Sequence, residues 1–160
     1  MLTLLSAAPR LYALGFSSLP QRRKRGEGAR GLMILEEAAD VGEMAAGINE
    51  LLGLGLNLER VAFIRSRGSR SLAVARTFGT PIQWRFVLKP QILYIIEVIS
   101  ERFDSLSCED KAYVVLHELL HIPPRMSGGL RNHGHPAFRQ LSRNRGKLGE
   151  LCRQCCHNRE

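Results

Sequence analysis

The tightest constraint on folding in this chain is Val114-Val115-Leu116-His117-Glu118-Leu119-Leu120-His121-Ile122, an apolar run carrying two histidines and a glutamate and halted by Pro123-Pro124. Apolar residues over more than two turns, with no interrupting charge besides Glu118, suit a helix buried in a core whose histidine edge alone opens on a cleft. The ends of that helix are also readable. Ser107 followed by Asp110 resembles a capping box, and Glu109 and Asp110 put negative charge in the first turn, where the backbone dipole favours it. Proline cannot continue a helix. The pattern therefore predicts a helix from about Cys108 to Ile122, with the histidines in its last turn.

Residues four apart on a helix lie nearly one above the other, so His117 and His121 project from one face and can share one metal ion. Zinc suits imidazole ligands, although other divalent ions accept them too. Glu118 would then serve as general base for a metal-activated water and later pass the proton to the leaving amine of a peptide. A catalytic zinc needs a third protein ligand. Two candidates, His133 and His135, lie in Gly128-Gly129-Leu130-Arg131-Asn132-His133-Gly134-His135-Pro136, a segment able to double back over the helix end. His133 is favoured because Gly134 beside it would let the backbone approach the metal; His135 remains a substitute or supporting residue.

These residues resemble the small metallopeptidases of the zincin class found in archaea and phages, distant relatives of the SprT-like proteases. The resemblance covers roughly the middle two thirds of the chain. It rests on Ile64-Arg65-Ser66-Arg67-Gly68-Ser69, Ala73-Val74-Ala75-Arg76, the stretch Ile95 to Asp104, and above all His117 to Pro123 with Gly128 to His133. It implies a minimal zincin fold of the α+β class, a zinc site built from the two helix histidines and His133, and Glu118 as general base. His135 and the tail Cys152-Arg153-Gln154-Cys155-Cys156-His157 have no counterpart in that family's pattern.

At 160 residues and 44% hydrophobic content, the chain can bury one core, and no repeat is visible. The expected organisation is a flexible basic N-terminal extension over residues 1–31, a zincin-like domain over 32–148 and a Cys-rich tail over 149–160. A formal net charge of +8 allows attraction to nucleic acid, acidic membranes or acidic proteins without choosing among them. The densest basic run, Arg22-Arg23-Lys24-Arg25, has no interleaved aromatics and reads first as a solvated arm, with nucleic-acid binding as the sharper reading. Met1 to Leu19 lacks a positive start and is broken by Pro9 and Arg10, so neither a signal peptide nor an anchor is expected, and a cytoplasmic protein is the better reading.

Apolar positions from Ile34 to Leu52 recur at helical spacing and predict an amphipathic helix over Leu32–Leu52, broken by Gly53-Leu54-Gly55, with Met33 and Met44 filling the core. Val61 to Ile64 reads as a strand followed by a basic turn from Arg65 to Arg70, and Leu72 to Phe78 as a second strand. Ile82 to Leu88 fits either a strand or a short helix, with Trp84 expected in the core. Ile92 to Ile99 is the clearest strand, rich in β-branched residues and suited to lie near the cleft. Glu97 within it is expected to point outward to an arginine, with Arg125 and Arg131 as partners; either arginine could instead bind a substrate carbonyl or product carboxylate. The predicted architecture is thus a small mixed sheet packed against a long N-terminal helix and the histidine helix.

Of the four cysteines, Cys108 reads as a small structural residue. A second zinc at Cys152, Cys155, Cys156 and His157 is the weaker expectation, because one compact cluster lacks paired CxxC halves; free thiols on a frayed tail fit a reducing cytosol better. Two functions compete. One is a zinc-dependent peptidase acting on a peptide or protein substrate through His117, His121, His133 and Glu118. The other is a zinc-stabilised module that binds nucleic acid or protein without catalysis.

Overall fold

The computed structural model describes residues 32–157, with backbone only for Gln140 and for 154–157. The basic run at Arg22–Arg25 and the apolar segment Met1–Leu19 lie outside the described residues. Four strands form one mixed sheet in the order β1-β2-β4-β3. They are β1 (Ile34–Glu37), β2 (Val61–Arg67), β3 (Ala75–Gly79) and β4 (Tyr94–Ile99). β2 and β4 run parallel at the centre, flanked by antiparallel β1 and β3. The α+β architecture expected from the sequence is therefore present.

Side chains alternate between the faces of a strand, so the register decides what meets what. Tyr94, Ile96 and Val98 of β4 are fully buried, and they face α1 (Ala39–Leu52) and α4 (Cys108–His121). Val41, Ala45 and Ile48 of α1 and Ala112, Val115, Leu116 and Leu119 of α4 fill the same core. α4 begins as the sequence predicts, with Ser107 Oγ accepting from the Asp110 backbone N–H at 3.1 Å. Gly53, in the left-handed region at φ 59°, ends α1.

Several expectations need correction. The predicted helix over Leu32–Leu52 starts only at Ala39: Ile34 to Glu37 form β1, hydrogen-bonded to β2 and tied to it by Arg67 on Glu36 at 3.0 Å. Its apolar spacing fits either structure, and the free edge of β2 decides for the strand; Ile34 and Met33 are consequently about half exposed rather than core. Arg65 and Arg67, assigned to a turn, belong to β2, where Arg65 bridges Asp40 and Asp104 at 2.8 and 3.1 Å. The turn begins at Gly68.

Residues 82–88 resolve into a short helix, α2 (Ile82–Leu88), and Trp84 on it is 62% exposed, not core. β4 is an inner strand, so the edge beside the histidine helix belongs to β3. Glu97 does not point into solvent: it is 4% exposed, and its partner is Arg76, directly opposite on β3, at 2.8 Å. Arg76→Ala would strand that carboxylate. We expect a loss of about 2 kcal/mol by denaturant unfolding, below the range for fully buried pairs because Arg76 is itself part-exposed.

The cysteine-rich segment is no frayed tail. Residues Arg145–His157 form α5, whose Leu148 and Cys152 are buried against the core, and Cys152 is joined to Cys108 in a disulfide with Cα atoms 5.9 Å apart. A sulfur committed to a disulfide is no thiolate ligand, which removes Cys152 from the second-zinc set. The side chains of Cys155, Cys156 and His157 lie outside the described ones. Among the described residues, no helix is long and apolar enough to cross a membrane.

Candidate metal centre and active site

The last turn of α4 leaves four carbonyls without partners in the helix. Each finds one at the helix cap, on the returning loop or on β3. The Ile122 N–H donates to Leu119 O at 3.0 Å, and the Arg131 N–H donates to His121 O at 2.7 Å. The Arg131 guanidinium reaches Leu120 O at 3.5 Å, and the Thr77 hydroxyl lies 3.1 Å from Glu118 O. The helix end that carries the histidines is thus clamped between the loop after Pro124 and the edge strand β3.

That loop is itself pinned. Tyr94, fully buried, accepts the Gly128 N–H at 2.6 Å, and Arg85 donates to Ser127 O at 2.6 Å. Gly128 sits at φ 93°, a backbone conformation that side chains disfavour, and a Cβ on Gly79 would meet Gly128 O at 2.7 Å. The loop therefore makes its close approach to β3 at Gly128 against Gly79, while a Cβ on Gly134 would meet Asn132 Oδ1 at 3.2 Å.

The result is a cluster of His117, His121 and His133, each offering one ligand atom, all within 4.8 Å of one another. His117 Nε2 and His133 Nε2 are 3.0 Å apart. A tetrahedral zinc with Zn–N bonds of about 2.0–2.1 Å would separate its ligands by about 3.3 Å, so the donor set and its spacing fit such an ion. His121 Nδ1 lies 2.7 Å from Arg131 O, and since a carbonyl only accepts, Nδ1 carries the proton and Nε2 keeps its lone pair for a metal. His135 takes no part. Its Nδ1 accepts the Ala137 N–H at 3.2 Å and caps the 3-10 turn Pro136–Gln140.

Burial and mutual repulsion with His121 and His133 hold His117 below the usual histidine range. Neutral imidazole is the form that ligates metal. Glu118 is 7% exposed, and its burial pushes the carboxyl above the ordinary carboxylate range, opposed by the Thr77 hydrogen bond and the nearby histidines. Thr77 Oγ1 lies 2.6 Å from Glu118 Oε2. A cleft of about 260 Å³, lined by Ala73, Val74, Ala75, Tyr113, Val114, His117 and Glu118, runs between the edge strand and α4. A larger cavity of about 400 Å³ lies by Cys108 and Lys111, at the opposite end of α4 from the histidines.

Three contributors were not legible in sequence. Phe138 packs its ring 4.8–5.3 Å from all three imidazoles and forms an apolar wall to the cluster. Thr77 and Tyr94 act through Glu118 and the loop. None sits in a motif, and only the fold brings them there. Arg131, considered as a substrate-binding group or a partner for Glu97, instead spends its backbone and its guanidinium on the helix end.

A mixed α/β domain with three converging imidazoles on and beside a helix, and a carboxylate next to them over a cleft, defines a candidate hydrolytic metal centre. The chain belongs to the family described as "Putative phage metallopeptidase", which it matches over residues 33–155. No curated protein and no solved structure matches it.

Proposed function

We propose that this protein is a zinc-dependent peptidase in which His117, His121 and His133 hold the ion and Glu118 is the general base. The observation that carries this reading is the convergence of the three imidazoles beside the buried Glu118. When bound, zinc would supply Lewis acidity and lower the pKa of the water it coordinates. Three nitrogen ligands leave a fourth position open, as catalytic sites require.

The chain's own residues would do the rest. Glu118 accepts the proton of the attacking water and returns it to the leaving amine. A peptide or protein substrate would lie extended along the outer edge of β3, which is unpaired among the described residues, with side chains entering the cleft lined by Val74 and Val114. Phe138 supplies an apolar wall against the three imidazoles. A site that only stabilises the fold has no use for a buried carboxylate at the mouth of a cleft, and this favours the peptidase over the non-catalytic binding module.

The test is metal-dependent hydrolysis of an unfolded protein such as casein. Chelation should abolish cleavage and stoichiometric zinc should restore it. His133→Ala is expected to weaken zinc binding by more than the roughly 10–100-fold that loss of an outer partner costs, whereas His135→Ala should keep one zinc per chain by elemental analysis. Cleavage indifferent to chelator, or zinc retained in His133→Ala and lost in His135→Ala, would overturn the assignment.

A further inference from the structure

Thr77 is the residue of the edge strand that reaches into the catalytic apparatus. Its single hydroxyl proton faces two acceptors of one residue, Glu118 O at 3.1 Å and Glu118 Oε2 at 2.6 Å. Among the described residues this is the hydrogen bond that the Glu118 carboxylate makes. Orientation of that carboxylate therefore depends on the place of Thr77.

That place is tightly held. Thr77 stands opposite Ile96, a fully buried residue of β4, and so points to the face of the sheet on which α4 lies. The neighbouring Arg76 is locked to Glu97 through two contacts of 3.0 and 2.8 Å. A β-branched side chain has little χ1 freedom, which keeps the hydroxyl aimed at α4. A substrate strand added to β3 would be placed by the same backbone that carries this hydroxyl. The register of substrate and the direction of the base are then set by one strand.

We propose that Thr77 is a positioning residue that aims the Glu118 carboxylate and couples it to the strand on which the substrate lies. The inference rests on the peptidase reading above. It extends it from the residues of the histidine helix to the opposite wall of the cleft, and it distinguishes Thr77 from a residue that merely caps α4. Geometric misplacement of a catalytic group by about 1 Å costs on the order of 10²-fold.

The experiment uses the full-length zinc-loaded chain with Thr77→Val, which keeps shape and removes the hydroxyl, and with Thr77→Ser, which keeps the hydroxyl. Thr77→Val is expected to lower kcat by about 10–100-fold with KM little changed and one zinc per chain retained; Thr77→Ser should stay within a few-fold of the wild type. In a Glu118→Gln background, Thr77→Val should cause no further loss, because its effect passes through the carboxylate. If Thr77→Val does not fold, Thr77→Cys, with a weaker donor, should fall between Ser and the Glu118→Gln level.

A crystal structure of zinc-loaded Thr77→Val should show the Glu118 side chain turned from its wild-type direction, a readout independent of turnover. Unchanged kcat in Thr77→Val, the same fold-loss in the Glu118→Gln background, or an unmoved Glu118 side chain would overturn the proposal. Those results in an enzyme whose cleavage still needs zinc and Glu118 would remove Thr77 alone; cleavage that needs neither would remove the peptidase reading itself.

Discussion

Glu118→Gln is expected to lower kcat by about 10²–10⁴-fold, the usual contribution of a general base, while zinc content and thermal stability stay close to wild type. Glutamine has the same shape and can still accept the Thr77 hydrogen bond through its amide oxygen, so packing at the end of α4 is preserved. What it cannot do is take a proton. Nor does the substitution touch the imidazoles, whose spacing is set by the helix and by the Arg131 contacts. The measurement is steady-state cleavage of an unstructured peptide with zinc analysed in the same sample. A variant that cleaves within about three-fold of wild type would exclude Glu118 as the base, whatever the metal content.

The second large effect concerns stability. Cys108 and Cys152 are 44 residues apart, and the segment between them contains His117, Glu118, His121 and His133. Closing a loop of that length removes enough freedom from the unfolded chain to stabilise the fold by about 4 kcal/mol in the chain-entropy view. The double variant Cys108→Ala/Cys152→Ala, or full reduction, is therefore expected to lower Tm by roughly 10–20 °C relative to the oxidised protein. The bond joins the first residue of α4 to α5, at the end of the helix away from the histidines. Zinc stoichiometry should survive at temperatures where the variant remains folded. A Tm shift below about 2 °C would show that packing of α5 on α4 carries the load without the bond.

The contrast between these two predictions follows the range over which each feature is encoded. Everything Glu118 needs locally lies within one helix. Ser107, the first-turn acids, the apolar run and the two prolines specify α4 through contacts three or four residues apart. The spacing of His117 and His121 follows from helical geometry alone. His133 was legible as a candidate because it lies in a glycine-rich segment able to double back after the prolines, whereas the packing of Gly128 on Gly79 that holds this loop against β3 was not.

Pairings across the sheet and between distant helices were not legible. Nothing near Glu97 announces Arg76, since the two meet only through the β3–β4 register. Leu32 to Leu52 carries a helical apolar period throughout, yet its first part pairs as β1, because the exposed edge of β2 and the arginines on it reward an extended chain. Trp84 looks like core and remains exposed on α2. Hydrophobicity says what a residue would gain from burial, not whether the fold has room for it.

By itself, then, the sequence determined the histidine helix, its two histidine positions and the carboxylate beside them, all of which depend on periodicity and capping within short spans, while the α+β class was an expectation from the family resemblance. Tertiary structure alone decided that His133 rather than His135 joins the cluster, that Thr77 meets Glu118, that Phe138 walls the imidazoles and that Cys152 bonds Cys108. Those contacts join residues 16 to 44 positions apart in the cases of His117–His133, Thr77–Glu118 and Cys108–Cys152. Their energies exist only once the loop-closure entropy has been offset by the assembled core, which no local pattern records.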